Sequence, residues 1–361
     1  MAQSPLKEDA DTLVVDIDEL SQFSELPDLS LTASFSTTES IPSDTFVAAA
    51  EPVHKSSSSP EGDEVTAKLS AESPNVTMPT RYIPTVSAYN AWASVYDTDG
   101  NILQAIDDLE LETMLPSFIS NVLSSTTEPK KLLHRSLSIL DLGCGTARNT
   151  LKILRHQWPE NTNVKLVGVD ASKNMLALAE EKLRTASKEQ VAAGRSNIPE
   201  FQLLEHDFLN PENARNAPIL PAQWTKAAQA NDEADLTFNA VISTLVLEHF
   251  PLNTFFSLVR TLSRPGGFVL LTNMHPDMGA RSQAGFVETD QQGRRVKVRG
   301  NSWVHGVVET VDEANTQGFD VVGSVRETEV KEGMIEMLGE RGRKWVGTSV
   351  WYGMVLRRRE K

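Results

Sequence analysis

The stretch Ser138-Ile-Leu-Asp-Leu-Gly-Cys-Gly-Thr-Ala147 decides the fold. An apolar strand pattern runs straight into Asp141-x-Gly143-x-Gly145, and a helical pattern follows over about 147–157. Glycine suits such a turn because the chain bends sharply and its backbone must approach a ligand closely. Strand, glycine turn and helix in that order make one unit of a parallel α/β sheet. Open sheets of this kind bind ligands outside the carboxyl ends of their strands, where this turn falls. The two glycines alone say only that something comes close to the backbone.

Outward from this stretch the alternation continues. Short apolar runs at 137–142, 165–169, 201–204, 239–243 and 267–272 read as strands. Helical periodicity at about 172–187 and 252–263 falls between them, and a further helix, about 101–123, precedes the first. Two later apolar stretches, about 319–329 and 345–356, have only a short helical candidate, 332–340, between them. They read as a closing antiparallel pair at a sheet edge. Residues 210–235 are polar and rich in Ala, Asn and Gln, and read as an insertion before the fourth strand.

Acids stand at successive strand ends. Asp170 closes the second strand, 25 residues after Gly145, near the offset of an acid that accepts from ribose hydroxyls. The third strand leads to Glu205-His-Asp207-Phe208, where an acid and an aromatic suit an adenine ring: Asp207 accepts from its amine and Phe208 lines a face. Each acid has a plainer reading as a helix or turn cap, but caps do not explain their recurrence at the ligand-binding edge.

These pieces resemble the class I S-adenosylmethionine (SAM)-dependent methyltransferase family over about residues 85–357. The matching segments are Ile139-Leu-Asp-Leu-Gly-Cys-Gly-Thr146, Val167-Gly-Val-Asp-Ala-Ser172 with Met175, Glu205-His-Asp-Phe208, Phe238-Asn-Ala-Val-Ile-Ser243 running to Leu247-Glu-His249, and Arg264-Pro-Gly-Gly-Phe-Val-Leu270. The resemblance implies a Rossmann-like, seven-stranded, mostly parallel sheet with an antiparallel last strand and helices on both faces. It implies SAM as cofactor, with Asp141, Gly143 and Gly145 near its methionine part. Asp170 and Ala171 would hold the ribose, Met175 and Asp207 would flank the adenine beside Phe208, and Thr244 would complete the site. The aromatic run Tyr89-Asn-Ala-Trp-Ala-Ser-Val-Tyr-Asp97 resembles the N-terminal lid of ubiquinone/menaquinone-type methyltransferases, with Tyr96 covering the cofactor and Trp92 packing. Where many members carry a third glycine this chain has Ala147, for which a slight change in helix packing is expected.

A Rossmann dehydrogenase would carry Gly-x-Gly-x-x-Gly, but the sixth position here is Arg148. The chain also lacks a Gly-Lys-Ser/Thr phosphate loop. On the acceptor side, His249 follows the fourth strand, His275 the fifth, and His305 the loop beyond. Each is a candidate base or orienting group, because imidazole titrates near pH 6.5; each is equally a packing or capping residue. Glu248-His249 resembles part of a metal site in some quinone O-methyltransferases, but the further Glu of that site is Leu245 here, so no metal is expected. Trp345-Val-Gly-Thr-Ser-Val-Trp-Tyr352 resembles the closing strand of fungal members tied to secondary metabolism, which points to a small-molecule acceptor. A protein methyltransferase, or a regulatory subunit acting through an acidic tail, is the alternative. The fourth strand ends Ile242-Ser-Thr-Leu-Val, unlike the Asn-Pro-Pro-Tyr of glutamine- or adenine-directed enzymes.

Charge separates two regions. The 361-residue chain has a formal net charge of −15. Residues 1–80 hold fifteen Asp/Glu against three Lys, which leaves only about −3 on the rest. That segment, rich in Ser, Thr and Pro, reads as disordered because it cannot bury enough apolar surface to offset chain entropy. Within it, Leu13-Val-Val-Asp-Ile17 among acids resembles a SUMO-interacting motif, so a protein partner of the tail is a candidate. An acidic chain is a poor nucleic-acid binder. The lone cysteine, Cys144, permits no internal disulfide, and neither a secretory signal nor a membrane span is expected, so the setting reads as cytoplasmic or nuclear.

Overall fold

A computed structural model describes residues 78–125, 135–210 and 237–360. The 13–17 patch, the tail reading of 1–80 up to residue 77 and the insertion reading of 210–235 beyond Asn210 lie outside the described residues. The central sheet has seven strands: β2 (Arg135–Leu142), β3 (Thr162–Asp170), β4 (Glu200–Glu205), β5 (Phe238–Thr244), β6 (Ser263–Met274), β9 (Phe319–Glu329) and β10 (Ser349–Arg358). Their order is β4-β3-β2-β5-β6-β10-β9. The first five pair in parallel, and β10 runs antiparallel to both β6 and β9.

The two-residue period of a strand sorts the core. Ile139, Ala240, Ile242, Phe268 and Leu270 face one side. They pack against α2 (Ile102–Ser124), α3 (Arg148–Arg155) and α4 (Lys173–Ala192). Leu140, Leu142, Val241, Val269 and Leu271 face the other side, against Phe255, Phe256 and Val259 of α5 (Leu252–Leu262). Burial on both faces is why β5 and β6 read as continuous apolar runs instead of alternating ones. At the sheet edge β4 alternates over its first four residues, with Glu200 and Gln202 exposed and Phe201 and Leu203 half-buried.

One buried acid fastens α2 to this frame. Asp107 is fully buried, and its Oδ1 accepts from the Thr272 hydroxyl at 2.6 Å and the Trp351 indole at 2.8 Å. Its Oδ2 accepts from Arg148. Strand β6, strand β10 and helix α3 thus converge on one carboxylate.

A second, three-stranded sheet was not anticipated. Residues 273–306, for which no strand was read from sequence, contain β7 (Gly285–Thr289) and β8 (Arg295–Arg299). These pair antiparallel, and β8 pairs in parallel with β1 (Thr80–Tyr82). Val298 of β8 is fully buried, and Phe286 of β7 stacks on Trp92 of α1 (Thr85–Trp92) at 5.6 Å between ring centres. The small sheet therefore lies over the aromatic lid segment. No helix among the described residues is long and apolar enough to cross a membrane.

Candidate active site

The loop between β2 and α3 is held from below. The N–H groups of Gly143 and Cys144 both donate to the Val169 carbonyl, at 2.8 and 2.9 Å. Gly143 (φ 75°) and Gly145 (φ 52°) occupy left-handed backbone. A Cβ on Gly143 would meet Val246 Cγ2 at 2.3 Å, whereas one on Gly145 would meet nothing within 4 Å and would fill open space. Asp170 ties this loop to the next unit: its Oδ2 accepts from Gly145 N and its Oδ1 from Ser172 N, both at 2.8 Å. Burial raises the Asp170 carboxyl above its usual range, against those backbone donors. Ser172, not Asp170, caps α4, accepting from Met175 N at 3.2 Å.

Ala147 adopts left-handed backbone (φ 67°), and its fully buried side chain belongs to the core cluster that α3 and α4 pack into. Beside that packing, it carries backbone strain that glycine would not, on the order of 1–2 kcal/mol.

A cavity of about 290 Å³ opens above the loop. Gly143, Gly145, Asp170, Ala171, Asp207, Phe208, Thr244 and Tyr96 all line it, and so does His249. Asp141 and Met175 do not. Asp141 lies buried under the loop, its Oδ2 accepting from Thr150 at 2.5 Å while its Oδ1 has no partner among the described residues. Burial pushes its carboxyl up to about 7; Thr150 and Arg148 oppose the rise and Asp170 adds to it. Met175 is fully buried and packs behind the wall against Trp92 and Ala93.

The three histidines part company. His249 sits in the wall, its Nε2 2.8 Å from the Tyr89 hydroxyl and its Nδ1 2.8 Å from the Asn301 carbonyl. A carbonyl only accepts, so Nδ1 carries the proton and Nε2 accepts from Tyr89. His275 and His305 line neither this cavity nor the one beside it. His275 caps a short turn by accepting from Asp277 N at 3.1 Å and faces Glu327 at 2.9 Å. His305 bonds the Phe250 carbonyl at 2.8 Å. Both are engaged in holding the fold, which is the plainer of their two readings. No group of three or more His, Cys, Asp or Glu among the described residues could hold a metal.

The lid segment is clamped to the loop. Asp97 accepts from the Thr146 hydroxyl at 2.6 Å and from Lys182 of α4 at 2.5 Å. Asn90 accepts from the Ser172 hydroxyl at 2.8 Å. A second cavity of about 530 Å³ adjoins the first, and Tyr89, Tyr96 and Leu245 line both. Leu245, at this junction, is held in left-handed backbone (φ 58°). Such strain in a branched residue costs on the order of 1–3 kcal/mol and concentrates at functional sites.

A family model described as a methyltransferase domain matches residues 140–269. An uncharacterized methyltransferase of Emericella nidulans is 40% identical over 280 residues, covering 76% of this chain and 90% of its own. The chain belongs to the class I SAM-dependent methyltransferases. Among solved structures, this methyltransferase is similar to a SAM-dependent methyltransferase from Mesorhizobium loti, at 18% identity and a TM-score of 0.38 over 63% of this chain and 93% of that one. Another, from Clostridium acetobutylicum, gives 12% identity and a TM-score of 0.40 over 75% and 99%. Likeness at that level adds no weight to the assignment.

The methyltransferase has a site that fits its cofactor. The open face of Gly145 leaves room for a ligand against the backbone, and the carboxylate acceptors Asp170 and Asp207 in the cavity wall suit hydroxyl and amine donors. His206, beside Phe208 at 4.5 Å between ring centres, also lines the cavity and had no role assigned from sequence. Tyr89 was passed over too, although it stands seven residues before Tyr96 within the aromatic run.

Proposed function

We propose that this SAM-dependent methyltransferase acts on a small organic acceptor held in the second cavity. The observation that carries the reading is the junction: one cavity holds the cofactor set, and the other opens from it across Tyr89, Tyr96 and Leu245. Its volume of about 530 Å³ and its lining of Trp92, Phe286, Trp345, Met274 and Met278 suit a compact apolar ligand.

SAM supplies an electrophilic methyl group on a sulfonium, so the protein's work is to align the acceptor in line and keep water out. Asp170, the two glycines and Asp207 hold the cofactor. The Trp92–Phe286 stack and the Asp97 clamp close the lid side. Tyr89 borders both cavities, and burial raises its hydroxyl well above the usual range, so it stays protonated. A proton leaving an acceptor O–H or N–H passes to the Tyr89 oxygen as the Tyr89 proton moves to His249 Nε2. The catalytic candidate His249 thus acts through Tyr89, and the Asn301 carbonyl steadies the resulting imidazolium. The fungal likeness of the closing strand supports an acceptor from secondary metabolism.

The test is to incubate the protein with methyl-labelled SAM and a fungal metabolite extract. Label in a small molecule supports the reading, and label in protein alone refutes it.

A further inference from the structure

We infer that the acceptor carries an anionic group, a carboxylate or a phosphate, bound at the rim of the second cavity by Arg295, Lys297 and Lys344. The inference rests on that cavity being the acceptor site. The sequence of β8, Arg295-Val-Lys-Val-Arg299, alternates, so its basic residues share one face while Val298 is buried on the other. Arg295 and Lys297 line the cavity from that face, and Lys344 lines it from the segment before β10. Burial, then Arg299 and Lys344, lower the Lys297 ammonium below its usual range, as expected where cations gather without counter-charge.

Among the described residues, none of the three has a carboxylate partner, and the nearby acids are already engaged. Asp99 accepts from Trp92 at 2.8 Å and from Asn101 N at 3.0 Å. Glu248 accepts from Ser302 at 2.9 Å, and Glu288 pairs with Arg81 at 2.5 Å. Lys344 lies 5.0 Å from the centre of the Trp345 ring, so cation and aromatic surface meet at one point. The cavity also grades from exposed to buried. Arg295 and Lys344 are exposed, whereas Leu245, Met274 and Trp92 at the inner end are buried. A ligand matching this gradient has an apolar body directed at the Tyr89–Tyr96 junction and a negative group left at the rim. Cations gathered at a cleft mouth focus field and raise the local concentration of such a ligand. They do so on a body whose net charge is slightly negative, so the patch reverses the local sign.

The extract is separated by anion exchange before the reaction, and each fraction is offered to the full-length protein with labelled SAM. The expected result is a labelled small molecule from the anion-retained fraction. With that fraction, the Lys297→Ala/Lys344→Ala double variant should show a KM at least about 10-fold higher with kcat and SAM affinity retained. Lys297→Arg/Lys344→Arg should restore it. Phosphatase treatment of the fraction separates the two anions: lost acceptor activity assigns phosphate, and surviving activity assigns carboxylate. A labelled small molecule arising only from the neutral or cationic fractions overturns the anionic class while leaving the small-molecule reading intact. An unchanged KM in the alanine variant overturns it as well. Label in protein alone sinks both.

Discussion

The Tyr89 hydroxyl donates to Nε2 of His249 across 2.8 Å, and the opposite ring nitrogen is held by the Asn301 carbonyl at the same distance. Both imidazole nitrogens are committed, so His249 has no lone pair to offer an acceptor directly. Any proton it takes must come by way of Tyr89. The pair joins α1 of the lid to the turn after β5.

Tyr89→Phe should keep the ring and remove the relay. With an acceptor that holds its proton near neutral pH, kcat should fall by about 10²-fold. SAM affinity, read by calorimetry, should be retained. A full rate in Tyr89→Phe would remove Tyr89 from the reaction.

Asp141 makes stability depend on pH. Its carboxyl is raised by burial to about 7 in the folded protein, against 3.8 when free. The folded state thus binds a proton that the unfolded state has released between about pH 4 and 7, and stability falls as pH rises through that window. A shift of that size corresponds to something on the order of 4 kcal/mol. Asp141→Asn stays neutral throughout and should flatten the slope. Urea unfolding of both proteins at pH 5 and 7.5 measures the difference; parallel slopes would show that Asp141 does not titrate in this range.

The sheet was legible because its signals are local. The central strands β2, β3, β5 and β6 are dense apolar runs, β2 and β3 lead into Gly143 and Asp170, and the run at 319–329 coincides with β9. The small sheet was not, although Arg295-Val-Lys-Val-Arg299 alternates as a strand should. Three- and five-residue strands carry little signal, and Thr80 pairs with Lys297 across more than two hundred residues of chain. No local pattern announces such a contact. The same distance hid the second cavity, whose walls come from α1, β7, β8 and the segment before β10. The strain at Ala147 was hidden for a different reason: sequence shows that a residue is small, but not that its φ is positive.

Asp107 should rank among the least replaceable residues outside the cavities. Removing its carboxylate by Asp107→Ala leaves Arg148 largely buried without its main partner and strands the Thr272 hydroxyl and Trp351 indole. Breaking a buried pair from one side costs about 3–5 kcal/mol. Equilibrium urea unfolding reads this directly. A loss under about 1 kcal/mol would mean that water replaces the carboxylate at little cost.

The two loop glycines should fail in different ways. Gly143→Ala puts a methyl 2.3 Å from Val246 Cγ2 at a φ of 75°, so clash and backbone strain add and the protein should lose stability. Adding Val246→Ala removes the two closest contacts, leaving Val246 Cβ at 3.2 Å, and should recover part of that loss, with about 1–2 kcal/mol of backbone strain remaining. Gly145→Ala meets no atom within 4 Å, so it should cost only the strain term and fold normally. Its methyl instead projects into the space that the cofactor needs, and SAM affinity should drop by about 10-fold or more. Thermal unfolding and calorimetry on the three variants separate these outcomes. The reading of the loop as a cofactor cradle fails if Gly145→Ala binds SAM as tightly as the unsubstituted protein.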